Sequence, residues 1–196
     1  MSILLFNRWD TSKVEVQDPS LKRYVNLEPV IVPRTNGKMR GQHKYKVNIV
    51  ERFTNRLMVN GHRGKKHKIT SGHHVGNTAT LFNHMKAAFT EIENKTKKDP
   101  VQVLVHAIEN SSVVEEVASY RMGGIMARKA VVVSPQRRLD LALRYLTQGI
   151  YKKSFKNRQP LSRVIADELI AAANNDTKVF AIQEKNRIER EAEGAR

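Results

Sequence analysis

Residues 111–138 of the 196-residue chain, SSVVEEVASYRMGGIMARKAVVVSPQRR, constrain the fold more tightly than any other stretch. Val113, Val114, Val117, Tyr120 and Met122 precede Gly123-Gly124, and Ile125, Val131, Val132 and Val133 follow it. These are β-branched, aromatic and extended residues of the kind strands favour. Two adjacent glycines adopt the positive φ angles of a tight hairpin turn without a Cβ clash. Ser134-Pro135 then stops the second strand and opens a helix, with Ser134 as N-cap and Pro135 where its missing N–H is not needed. The arms lack a clean apolar/polar alternation. Arg121, Arg128 and Lys129 cluster near the turn, and Glu115 and Glu116 lie near the base. At roughly 3.3 Å per residue, arms of about ten residues reach on the order of 30 Å, longer than packing on a small domain requires. The expectation is an arm that projects toward something negatively charged.

Charge supports that expectation. The chain has 35 Lys and Arg against 19 Asp and Glu, a formal charge of +16. Self-repulsion of that size is relieved by a polyanion, either nucleic acid or an anionic membrane. No apolar run approaches the roughly 18 residues of a membrane span, and MSILLFNRWD does not read as a signal peptide, so a cytoplasmic protein without a membrane partner is expected. The absence of cysteine removes disulfides, thiolate nucleophiles and cysteine-ligated zinc together. From Arg34 to Lys68 there are 11 basic residues against Glu51 alone, and from Arg121 to Arg158 there are 10 against Asp140 alone. These blocks carry +10 and +9, which leaves the rest of the chain at −3. The basicity therefore belongs to two faces.

Residues 1–43 show no sustained helical period and carry Asp18-Pro19, Glu28-Pro29, Pro33 and Asn36-Gly37, so they read as an N-terminal extension. Trp9 and Tyr24 suggest that it packs against the body in places. The helical domain is expected over 44–196, with the arm at 113–133. Apolar spacing predicts helices from Lys46 to about Val59, from Asn77 or Thr78 to the ENKTKK run, from Asp99-Pro100 past Ile108, from Pro135 to about Tyr151, from Pro160 to Asn174-Asn175, and from about Lys178 to Ala192. In the fourth of these, Arg137, Arg138, Arg144, Tyr145, Gln148 and Lys152 repeat at about seven-residue intervals and are expected along one face. The last helix has few apolar anchors and is expected to fray unless covered. The fold class is mainly α: an irregular bundle of about six helices with a protruding β-hairpin and an N-terminal extension.

The loop GHRGKKHKITSGHHVGN holds His62, His67, His73 and His74. Arg63, Lys65, Lys66 and Lys68 surround them, and no carboxylate lies between Glu51 and Glu91, which argues against a metal site. The same loop fails as a phosphate-binding P-loop, because its glycines are two residues apart and no Ser or Thr follows the lysine. No catalytic carboxylate pair or Ser/His/Asp ordering is visible, so an enzyme is not expected and no cofactor is implied. Lys and Arg contacts to phosphate would carry the affinity, with Tyr120, Tyr145 and Tyr151 available to stack on bases. On charge alone the candidate contacts include Arg52, Arg56, Arg63, Lys152 and Lys153. The alternative reading is a DNA-binding regulator of the winged helix-turn-helix type.

KVNIVERFTNRLMVNG, DPVQVLVHAIENSSVVEEVASYRMGG, KAVVVSPQRRLDLALRYLTQGI and VIADELIAAANN, in this order, resemble ribosomal protein seven of the small subunit. The N-terminal segment and the long loop after the first helix resemble its archaeal and eukaryotic branch. The resemblance implies a helical domain with a β-hairpin arm that binds the 3′ major domain of small-subunit rRNA and nucleates assembly of the subunit head. It implies an arm beside exit-site tRNA and the mRNA path, with head and platform proteins as neighbours. Carried onto this chain, the implied RNA contacts are Lys44, Lys46, Lys65, Lys66 and Lys68, then Arg121, Arg128 and Lys129 on the arm, then Arg137, Arg138 and Arg144.

Overall fold

A computed structural model describes residues 3–35, 41–58 and 77–196. Among them are seven α-helices and one antiparallel hairpin: α1 (Pro19–Lys22), α2 (Ile49–Met58), α3 (Thr78–Thr96), α4 (Pro100–Ser111), β1 (Glu115–Met122), β2 (Ile125–Val132), α5 (Pro135–Ser154), α6 (Leu161–Ala173) and α7 (Phe180–Glu193). The architecture is mainly α with a β-hairpin, as expected. The cap chemistry places the helix starts. Asn77 accepts from the Ala79 N–H, and Asp99 from that of Val101. Pro135 occupies the first turn of α5. The first long helix begins at Ile49 and not at Lys46, because Gly41–Lys46 winds as a 3-10 turn. Asn48 then accepts from the Val50 N–H at 2.9 Å, satisfying a donor at the helix start.

α5 is the hub. It packs against α1, α2, α4, α6 and α7, with Leu139, Ala142, Leu143, Leu146 and Ile150 buried. α6 lies against both α3 and α4. Asn110 on α4 donates to the carbonyls of Ala172 and Ala173 at 3.0 and 2.8 Å, where the last carbonyls of α6 run out of donor partners within the helix. α5 and α6 approach closely at Gly149. A Cβ there would overlap Glu168 Oε1 and sit 3.3 Å from the Phe180 Cβ.

The N-terminal extension is attached at several points. Leu5, Trp9, Leu21 and Val25 enter the main core. Trp9 meets Phe89 edge-on at 5.4 Å, and its indole N–H donates to Glu93 at 3.2 Å. It also contributes α1, a four-residue helix capped by Asp18 that the lack of helical period concealed.

The hairpin pairs Glu115 with Val132 through Met122 with Ile125. Gly123 and Gly124 both have positive φ, 57° and 92°, so the turn requires glycine's freedom. Eight-residue strands make the arm about 26 Å long.

Candidate nucleic-acid interface

The α2–α5 edge sorts its cations by whether a carboxylate reaches them. Asp140 on α5 accepts from Arg52 Nη2 at 2.9 Å and from Lys44 Nζ at 3.1 Å. Arg52 is turned inward, its side chain 4 % exposed, and Nη1 donates to the Tyr24 carbonyl at 3.2 Å. Burial lowers its pKa, and Asp140 partly offsets that. One turn further along each helix stand Arg56 and Arg144, within electrostatic reach of one another. Burial lowers the Arg56 pKa, the Arg144 charge lowers it again, and Asp140 opposes both. Among the described residues no carboxylate bonds either guanidinium. Arginine stays charged under these shifts, so the fold maintains a like-charge pair at its surface. Such a site attracts an anion, and the planar guanidinium fork matches phosphate geometry. Lys46, exposed at the end of the 3-10 turn, adds to the field.

The arm separates its cations by register. Arg121 and Arg128 lie on one face with Val117 and Ser119, and Tyr120 and Lys129 lie on the other. Arg121, Arg128, Tyr120, Lys129 and Ser119 are exposed, and Val117 is half-buried. Ile125 and Met126 at the tip are 74 % and 66 % exposed. The base is clamped. Arg196 Nη2 donates to both carboxylate oxygens of Glu115 at 2.8 and 2.6 Å, and Glu189 accepts from the Val114 N–H at 3.0 Å. Arg137 grips Glu116 through Nε and Nη2 at 2.6 and 2.8 Å, and that hydrogen bonding raises the Arg137 pKa.

The family model for ribosomal protein S7p/S5e matches residues 21–196. The chain belongs to this family. Among its relatives, the small ribosomal subunit protein uS7 of Nanoarchaeum equitans is 42 % identical over the whole of both chains. That of Methanococcus maripaludis is 44 % identical, again over the whole of both. That of Archaeoglobus fulgidus is 41 % identical over 99 % of this chain and 95 % of its own. The S7 resemblance and its archaeal branch, expected from the motifs, are thereby shown.

Within this S7-family fold the basic residues expected from sequence divide into two groups. Lys46, Arg121, Arg128, Lys129 and Arg144 are exposed, Lys44 is half exposed beside Asp140, and Arg56 is partly covered. Others are engaged by partners within the fold, whether or not they are exposed. Arg52 serves Asp140, and Arg137 ties the start of α5 to the arm. Arg138 bonds Asp18 Oδ2 at 2.7 Å, Ser112 Oγ at 3.0 Å and the Ser20 hydroxyl, so it fastens the N-terminal extension to α5. Burial pushes the Asp18 carboxyl up, but the Ser20 hydrogen bonds and the Arg138 guanidinium more than reverse this, leaving it below the usual carboxylate range. Lys153 reaches the fully buried Glu168 at 2.5 Å, and Lys152 lies 3.9 Å from the Phe180 ring centre. The expected stripe on α5 is therefore broken. Arg138 is covered from α1, Gln148 is buried and Tyr145 packs against the core. Arg63, Lys65, Lys66 and Lys68, with the four loop histidines, lie outside the described residues. Sequence reasoning passed over Phe155, which is 52 % exposed beyond Tyr151. Its signal was present as an aromatic inside the basic run KKSFKNR.

Proposed function

We propose that the chain is a structural constituent of the small ribosomal subunit, acting in the ribosome of the cytoplasm. In this reading it binds rRNA of the 3′ major domain directly through the α2–α5 edge and nucleates assembly of the subunit head. The β1–β2 arm extends beside exit-site tRNA and the mRNA path, with head and platform proteins as neighbours. The role is binding and positioning, without a catalytic residue. One observation carries the RNA contact: Arg144 is exposed and Arg56 partly covered along the α2–α5 edge with no carboxylate bonded to either among the described residues, while Asp140 is already engaged by Arg52 and Lys44. A phosphate backbone supplies the missing negative charge. Membership of a ribosomal family supports RNA as its source over duplex DNA.

The test is binding to a transcript of the archaeal small-subunit 3′ major domain, with duplex DNA and a 5′-domain transcript as competitors, together with co-sedimentation on small subunits at moderate salt. The expected outcome is retention on subunits and selective binding to the 3′ domain. Equal competition by duplex DNA, or absence from the subunit fraction, contradicts the reading.

A further inference from the structure

The C-terminal end of α5 holds a feature that the α2–α5 edge does not explain. Phe155 follows the last residue of α5 and leaves 52 % of its surface open. Its ring lies 6.2 Å from that of Tyr151, inclined at 39°. Lys156 Nζ sits 5.7 Å from the Phe155 ring centre. The backbone beneath is tied down: the Phe155 N–H donates to the Tyr151 carbonyl at 3.0 Å, and Asn157 donates to the Lys153 carbonyl and accepts from the Gln159 N–H. The backbone that carries the ring is thus fixed before any ligand arrives, which lowers the ordering cost of binding. Residues 151–166 contain five cations and no acid. Lys153 is taken by Glu168 and Lys152 lies on Phe180, whereas no carboxylate bonds Lys156 or Arg158 among the described residues.

We infer that this end of α5 is a stacking platform for an unpaired RNA base, which lies on Phe155 while Lys156 and Arg158 hold the flanking phosphates. This rests on the RNA-binding reading above and adds a second contact of different chemistry to it. A π-face combined with negative charge is what an unpaired nucleotide presents. A protein partner fits less well. Protein interface cores are depleted in lysine and built on contiguous apolar area. Here a single open phenyl lies beside the Lys156 ammonium in a basic segment, and the other large exposed apolar side chains lie in the N-terminal extension and the arm.

The test uses the full chain and the 3′ major domain transcript. Phe155→Ala should weaken binding about 5- to 50-fold with the salt slope unchanged, because stacking releases no counterions. Arg158→Gln should lower the slope by about 0.7–0.9. Phe155→Trp should retain affinity, and its emission should be quenched by RNA, whereas the wild-type emission, which comes from the buried Trp9, should not change. Circular dichroism of each variant should match wild type, since the ring is a surface group. Failure of the wild-type chain to bind the transcript would refute the RNA-binding reading itself. Normal binding by wild type and Phe155→Ala alike would overturn the platform alone. So would loss of a neighbouring protein from reconstituted subunits with RNA affinity intact.

Discussion

Arg138 shows why counting charges along a chain cannot say which of them face a ligand. It stands in a run that reads as an RNA contact, yet its guanidinium closes on Asp18, Ser20 and Ser112. Arg138→Met should destabilise the fold by about 2 kcal/mol in urea unfolding, because it leaves a partly buried carboxylate without its cation. Asp18 supplies a pH signature. Its folded pKa lies below the ordinary 3.8, so its contribution is complete above that value and fades as pH falls below it through the folded pKa. An Asp18→Asn chain should be less stable than wild type at pH 7, and the difference should shrink below pH 3.8. A difference that stays constant across that window contradicts the assignment. The cation was visible in sequence, and its partner 120 residues away was not.

The helices that proline and cap residues begin were legible as elements, because Asp99-Pro100 and Ser134-Pro135 are local signals. α7 was harder to read, since much of its anchorage is polar and distant in sequence. Phe180, Ala181, Ile182 and Ala192 are buried, and Ile188 packs on the small cluster of Val113, Val133 and Leu141. Lys185 donates to the Asn110 carbonyl, Glu189 accepts from Val114, and Arg196 closes on Glu115. The element expected to fray is thus the brace of the arm. Removing Arg196 should raise amide exchange at Val114 to Val117 while leaving α3 and α4 protected. Trimming 122–126 should leave affinity for the isolated RNA domain within about twofold while impairing subunit function, since the proposed rRNA contact lies at α2 and α5; loss of that affinity would overturn this division. The α5–α6 approach makes a third demand. Ala for Gly ordinarily gains up to about 1 kcal/mol in a helix interior. At Gly149 the sign should reverse, with about 2 kcal/mol lost in thermal or urea unfolding, because the new methyl enters the space of Glu168.

At the scale of the molecule, the net charge of +16 is concentrated in two blocks of the chain. Folding then redistributes their roles. Arg52, Arg137, Arg138 and Lys153 find acidic partners, while Arg56 and Arg144, 88 positions apart and from different blocks, come within electrostatic reach of each other. Such a convergence depends on how α2 lies on α5, which no local periodicity reports. The most direct measurement is therefore affinity for the 3′ major domain transcript across a salt series, comparing wild type, the double variant Arg56→Gln/Arg144→Gln, and Arg137→Gln. The wild-type log–log slope should be several units. The double variant should lower it by about 1.4–1.8, the share of two phosphates, and Arg137→Gln should leave it unchanged. An unaltered slope in the double variant, or an equal fall in Arg137→Gln, would contradict the account.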